Sequence, residues 1–308
     1  MKKTIMTLMM AGLAFGSTSA FAATTATANG LDLWATGGRI DGEVNFQTNT
    51  PGVVISTLNF NPTGNYFGLG GRYQFLPTML PQMSVSADWK SSRHFDGDVD
   101  DSDYLASNPN KVWAFSNSDL SGNWDQLDAN VGFEILNLKD GKVTAEALGG
   151  YQRNHYDFSI HTTVTSIWNY VAIDDKVFGE TATYKANMKA PYVGVAGKAW
   201  FTPHFGVNAS IKYLIKPKAD ARGVWQLNDF FFTEHGKGHG YEASLGATLI
   251  PRENWYVSLQ LYKSNIEIDN GREDLYVNSG TQRFLGSDEL DYIEFDSTST
   301  EFRVGFLF

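Results

Sequence analysis

Apolar and polar residues alternate one by one along much of this chain. The last eight residues, Glu301-Phe302-Arg303-Val304-Gly305-Phe306-Leu307-Phe308, set the pattern, with small or polar residues between apolar ones. Successive strand residues point to opposite faces, so period-two alternation describes a strand with one apolar and one polar side. Similar segments lie at 31–46, 55–75, 82–89, 126–136, 143–160, 184–201, 206–215, 241–250, 255–268 and 301–308. This predicts ten strands, an even number as antiparallel closure of a single chain requires. The connections fall into two classes. Those at 76–81, 137–142, 202–205 and 251–254 are short, whereas 90–125, 161–183, 216–240 and 269–300 are long. A secreted β-sandwich shares the alternation but has no reason to sort its loops by length. The expected fold is therefore all-β: a closed antiparallel ten-stranded transmembrane β-barrel with short turns at one end and long loops at the other. Aromatic residues such as Tyr66, Trp89, Trp200 and Trp255 are expected near the membrane rims.

The start of the chain adds an export signal. Lys2 and Lys3, an apolar run at 5–15 and Ala20-Phe21-Ala22 predict a cleaved secretory leader over 1–22, leaving 23–308 as the barrel with its long extracellular loops. Beyond the leader no stretch approaches the roughly 18 apolar residues of a membrane helix. The chain has no cysteine, so its stability cannot come from disulfides. Its net charge is −10, and loss of the two leader lysines makes it more acidic, which argues against nucleic acid as a partner. These features place it in the outer membrane of a Gram-negative bacterium, loops facing outside.

Three stretches resemble a known family. Tyr184-Lys185 followed by Lys189-Ala190-Pro191-Tyr192-Val193-Gly194 and Gly197 is similar to the Y-K-x-x-x-K-x-P-Y-x-G-x-x-G strand of the omptins, ten-stranded outer-membrane endopeptidases. Gly150-Tyr151-Gln152 with Tyr156 and Phe158 resembles their G-Y-Q-x-x-x-Y-x-F strand, and Asp101-Ser102-Asp103-Tyr104 with Ser107-Asn108-Pro109 and Trp113 resembles their D-x-D-W segment. The resemblance implies a cleft in which two acidic residues face an Asp-His pair and activate a water for peptide hydrolysis. Asp101 and Asp103 match the acidic pair, and their alternate spacing puts both side chains on one face. Without the resemblance, the acidic run 96–103 reads equally well as a solvated loop.

On the other wall the family's Asp-x-His falls on Asp220-Ala221-Arg222. A guanidinium stays protonated and cannot accept a proton from water. Arg222 is instead expected to pair with the cleft carboxylates, leaving the peptidase constellation incomplete and the activity altered or lost. His235, in Glu234-His235-Gly236-Lys237-Gly238-His239, is the first substitute base, although a solvated loop histidine is the plainer reading. Glu234 and His235 are adjacent and must point to opposite faces. His235 and His239 lack a third ligand, so no metal site is expected. The resemblance also implies a requirement for lipopolysaccharide, with Lys185, Lys189, Lys198 and Lys212 as contacts, or alternatively as lysines snorkelling to the interface; no other cofactor is implied. Three functions stand side by side: a surface endopeptidase or inactive relative that takes basic peptides, a non-catalytic adhesin or binding barrel for host proteins or envelope ligands, and a small pore.

Overall fold

The computed structural model describes residues 29–50, 53–75, 82–105, 108–139, 141–167, 170–172, 180–226, 229–252, 254–278 and 282–308. The expected leader at 1–22 lies outside them. The strands are β1 Asn29–Thr50, β2 Val53–Phe60, β3 Thr63–Phe75, β4 Met83–Leu105, β5 Asn108–Leu138, β6 Val143–Ile167, β7 Tyr170–Ala172, β8 Ala182–Trp200, β9 Phe205–Leu214, β10 Lys218–Trp225, β11 Phe230–Arg252, β12 Trp255–Asn278 and β13 Gln282–Leu307. They close into an antiparallel ring of 10 staves. Closure is made by β1, which pairs with β13 on one side and with β3 and β2 on the other.

Two staves are each written as two strands, because prolines interrupt them. β2 and β3 form one stave broken at Pro62, and β9 and β10 form another broken at Pro217. Proline has no N–H to give the ladder. Its carbonyl still serves: Gly42 donates to Pro62 at 2.8 Å and Gly238 to Pro217 at 3.0 Å. β7 is a short hairpin addition to β6.

The staves are longer than a membrane requires. A tilted transmembrane strand needs about 9 to 11 residues, whereas β5 has 31 and β13 has 26. One half of the barrel carries the lipid-facing band, with Leu33, Leu69, Leu127, Val193, Ile211, Leu245, Leu259 and Phe302 exposed on the outside. The other half projects beyond it. Most of the residues expected as long loops are therefore paired strand. There the alternation inverts: Asp96, Asp98, His235, Lys237 and His239 point outwards into water, while Phe95, Val99 and Phe232 point in. Pairing satisfies backbone groups that loops would leave to solvent, and the apolar inner positions gain burial.

Those inner positions fill the lumen. Ile40, Phe46, Phe60, Phe95, Leu120, Trp124, Phe158, Tyr184, Met188, Ala221, Phe232, Ile268, Ile293 and Phe295 belong to one contiguous buried cluster to which every stave contributes. Below this plug, at the level of the lipid band, the lumen is polar and charged. Lys90 reaches Glu301 at 2.7 Å, Arg303 reaches Glu301 at 2.9 Å, Lys212 reaches Asp128 at 2.7 Å and Glu242 at 2.9 Å, and Arg72 pairs with Glu146. A cavity of about 300 Å³ lies among these groups. Two of the expected rim aromatics turn their side chains into the lumen. Tyr66 is buried and donates to Glu301 at 3.2 Å, and Trp200 lines the cavity. Trp89 does face outward, edge-on to Phe67 at 5.3 Å.

Candidate functional site

Above the plug, at the long-loop end, the inner wall carries carboxyl groups. Asp101 and Asp103 are the last acidic residues of β4, and they stand opposite Leu58 and Ser56 of β2. Leu58 is buried in the plug, so both aspartates project inwards as their alternate spacing requires. From Ser56 the row passes to Thr48 on β1 and on to Leu290 on β13. It continues with Asp288 opposite Glu273 on β12, and Glu273 opposite Glu234 on β11. An arc of carboxyls thus lines one side of the mouth.

Glu234 is 1% exposed. Tyr184 on β8 donates its hydroxyl to one Glu234 oxygen at 2.9 Å, and the Glu234 carboxyl also meets that of Glu273, a contact that one shared proton turns into a hydrogen bond. One carboxyl oxygen of Asp101 is buried and unpartnered. The charge state follows from this setting. Burial, then the neighbouring Asp103 charge, pushes Asp101 up to about 8, and burial also raises Asp103. Burial, then the Asp288 charge, pushes Glu273 up to about 7, and burial together with Glu273 holds Glu234 well above the carboxylate range. Among the described residues no Lys, Arg or His offsets these four groups. The lower lumen, where carboxylates meet cations at hydrogen-bond distance, is the opposite case.

Asp220 and Arg222 are not part of this wall. The inner positions of β10 are Ala219, Ala221 and Gly223, so 220 and 222 must point out. Asp220 meets His235 Nδ1 at 2.9 Å on the outer surface, both side chains being more than half exposed. The Arg222 guanidinium lies 4.5 Å from the Phe231 ring centroid. The expected salt bridge between Arg222 and the cleft carboxylates is therefore absent. His235 faces away from the mouth, as its adjacency to buried Glu234 demands. The other histidines also lie elsewhere: His155 binds Asn187, His239 lies near Glu267 and Asp269, His204 sits in a short turn, and His94 and His161 alternate with buried Phe95 and Ile160. No imidazole addresses Asp101 or Asp103. No group of three metal-ligating side chains occurs among the described residues.

The lysines divide in the same way. Lys198 lines the lumenal cavity and Lys212 is buried between Asp128 and Glu242, so neither contacts lipid. Lys185 and Lys189 do face outward. Arg153, Lys189, Lys218 and Lys237 stand directly opposite one another across β6, β8, β10 and β11. This basic row lies just above exposed Tyr151, Val193, Tyr213 and Tyr241, at the upper edge of the lipid band.

Residues 63–308 match the family described as Pom: Protochlamydia outer membrane protein. The chain belongs to that family. Its Pom membership makes the barrel an outer-membrane protein. No significant match occurs among curated proteins. Among solved structures, the outer membrane protease OmpT from Escherichia coli superposes with a TM-score of 0.80 at 17% identity, over 95% of this chain and 100% of that one. At such identity the likeness is one of fold alone. OprG from Pseudomonas aeruginosa aligns over 91% of this chain at 10% identity with a TM-score of only 0.36, too different in shape to inform the site. The omptin-like strand motifs thus recover the architecture of this Pom barrel, while its inward Glu234 and Glu273 went unread in the sequence. Their signal was present: each sits two positions from an inward apolar residue, Phe232 or Leu275, where the plug pattern calls for another.

Proposed function

We propose that this barrel is closed to passive diffusion and binds cationic ligands, basic peptides first among them, in its acidic mouth, with omptin-type hydrolysis lost. One observation carries the reading: Asp101, Asp103, Glu234 and Glu273 face the mouth with no cation to offset them and no imidazole beside them. Lysine or arginine side chains would supply the missing charge through charge-assisted hydrogen bonds. Hydrolysis needs a base poised to take a proton from water. The Asp-His pair with that chemistry, Asp220 with His235, lies on the outer surface.

In this reading the mouth faces outside the cell. The row Arg153, Lys189, Lys218 and Lys237 then meets the outer leaflet, and like charges set opposite one another favour a shared anionic partner such as the phosphates of lipopolysaccharide. The test uses the mature barrel in lipopolysaccharide-containing nanodiscs and a fluorescent peptide with paired arginines. Saturable binding with no fragment by mass spectrometry is expected. Cleavage abolished by Asp101→Ala or Asp103→Ala would overturn the proposed loss of activity, and absence of binding would overturn the ligand class.

A further inference from the structure

Resting on that reading, we infer that the mouth is a proton-exchanging receptor: a ligand cation enters the Glu234–Glu273 and Asp101–Asp103 pairs by displacing protons the carboxyls hold, so affinity rises with pH. The geometry sets carboxyls close enough that they need protons or a cation between them. Glu234 and Glu273 are directly opposed across β11 and β12, and Asp101 and Asp103 alternate on β4. Like charges in such positions repel, so each pair relieves itself by retaining a proton. The groups facing them sharpen the point. β13 contributes Asp288, β8 contributes Tyr184, β1 and β2 contribute the neutral Thr48 and Ser56, β5 sets the neutral Ser116 and Ala114 opposite Asp101 and Asp103, and β10 contributes only Ala219, Ala221 and Gly223. None of these is a base that could neutralise the acids.

A second observation is independent of the acid count. One Asp101 oxygen is buried without a hydrogen-bond partner, and the second oxygen of almost fully buried Glu234 meets only the Glu273 carboxyl, a contact that needs a proton between them. A buried acceptor without a donor is costly. An ammonium or guanidinium brings several donors at once, and so can serve the Asp101 oxygen and replace the proton between Glu234 and Glu273 together. The raised proton affinities of Asp101 and Glu273, about 8 and about 7, set the exchange near neutral pH.

The experiment is isothermal titration of the mature barrel in nanodiscs with an acetylated, amidated tri-arginine peptide, which itself does not titrate near neutrality. Each titration is run at pH 6, 7 and 8 in phosphate and in Tris, buffers whose ionisation enthalpies differ. Exchange of one proton predicts buffer-dependent heats and affinity that rises with pH, by up to about tenfold per unit below the carboxyl pKa and less above it. Glu273→Gln, and separately Glu234→Gln, should still bind but release less proton and respond less to pH. Binding with equal heats in both buffers and flat affinity from pH 6 to 8 would overturn the exchange while leaving the ligand class intact. No binding at any pH would overturn the ligand class, and the exchange with it.

Discussion

Truncating the plug tests the closed lumen in terms of both stability and transport. Phe158 is fully buried, with its ring 5.8 Å from Phe60 and 5.8 Å from Tyr156, and Phe60 lies 5.3 Å from Tyr184. Its ring is also laid against Gly122, where a Cβ would come within 2.8 Å of it. Phe158→Ala therefore removes a large side chain from a site whose neighbours are held by paired strands and cannot collapse freely. Such deletions cost about 3 to 5 kcal/mol. Aromatic pair losses of about 0.5 to 1.5 kcal/mol each fall inside that range. Phe60→Ala combined with Phe158→Ala should cost less than the sum of the singles, because the two rings touch and share one void. Urea unfolding of the refolded barrel measures the stability and planar-bilayer recording the transport. The native protein should show no steady ionic conductance, and the double variant should show one. A stable ohmic pore in the native protein would refute the closed lumen, and a Phe158→Ala cost below about 1 kcal/mol would refute the packing argument.

In the lower lumen, Glu301→Gln removes the nearest carboxylate from buried Lys90 and Arg303, leaving Lys90 with Asp88 at 3.8 Å, and should destabilise the barrel by about 3 kcal/mol, read by urea unfolding; a loss under about 1 kcal/mol would show that Asp88 and the lumenal rings, not Glu301, hold the two cations. At the mouth, the folded proton affinities of Asp101 and Glu273 exceed the unfolded ones, so their ionisation opposes folding; rim stability should be greatest near pH 4 and decline as pH rises to about 8, with hydrogen exchange at the tips of β11 and β12 accelerating. Slower exchange at pH 9 than at pH 5, after correction for intrinsic rates, would reverse that sign. Arg222→His should not create peptidase activity, because position 222 points outwards beside Phe231; fragments from a basic peptide would show that β10 is placed wrongly.

Alternation revealed the barrel because lipid and lumen impose opposite polarity on successive residues. It under-read the upper staves because beyond the bilayer the polarity inverts: Asp96 and Asp98 face water while Phe95 and Val99 face the plug. Asp101 and Asp103 were legible for a local reason, since their spacing fixes a shared face. The opposite wall was not, because face there depends on register through Pro217, and the resemblance that set the family's Asp-x-His on Asp220-Ala221-Arg222 carries no information about which side of β10 is inside. Lys198 and Lys212 were misplaced for a related reason: in a lumen lined by Asp128, Glu146 and Glu242, an inward lysine is as stable as an outward one.

The claim of an acidic, cation-binding mouth is tested most directly by the dissociation constant of the acetylated tri-arginine peptide for native barrel and for the double variant Asp101→Asn/Asp103→Asn. Both are measured at pH 8 and low salt in lipopolysaccharide nanodiscs. Binding should be at least tenfold weaker in the variant, about 1.4 kcal/mol, with the fold intact by heat-modifiable electrophoretic mobility. Equal affinity in a folded variant would contradict it.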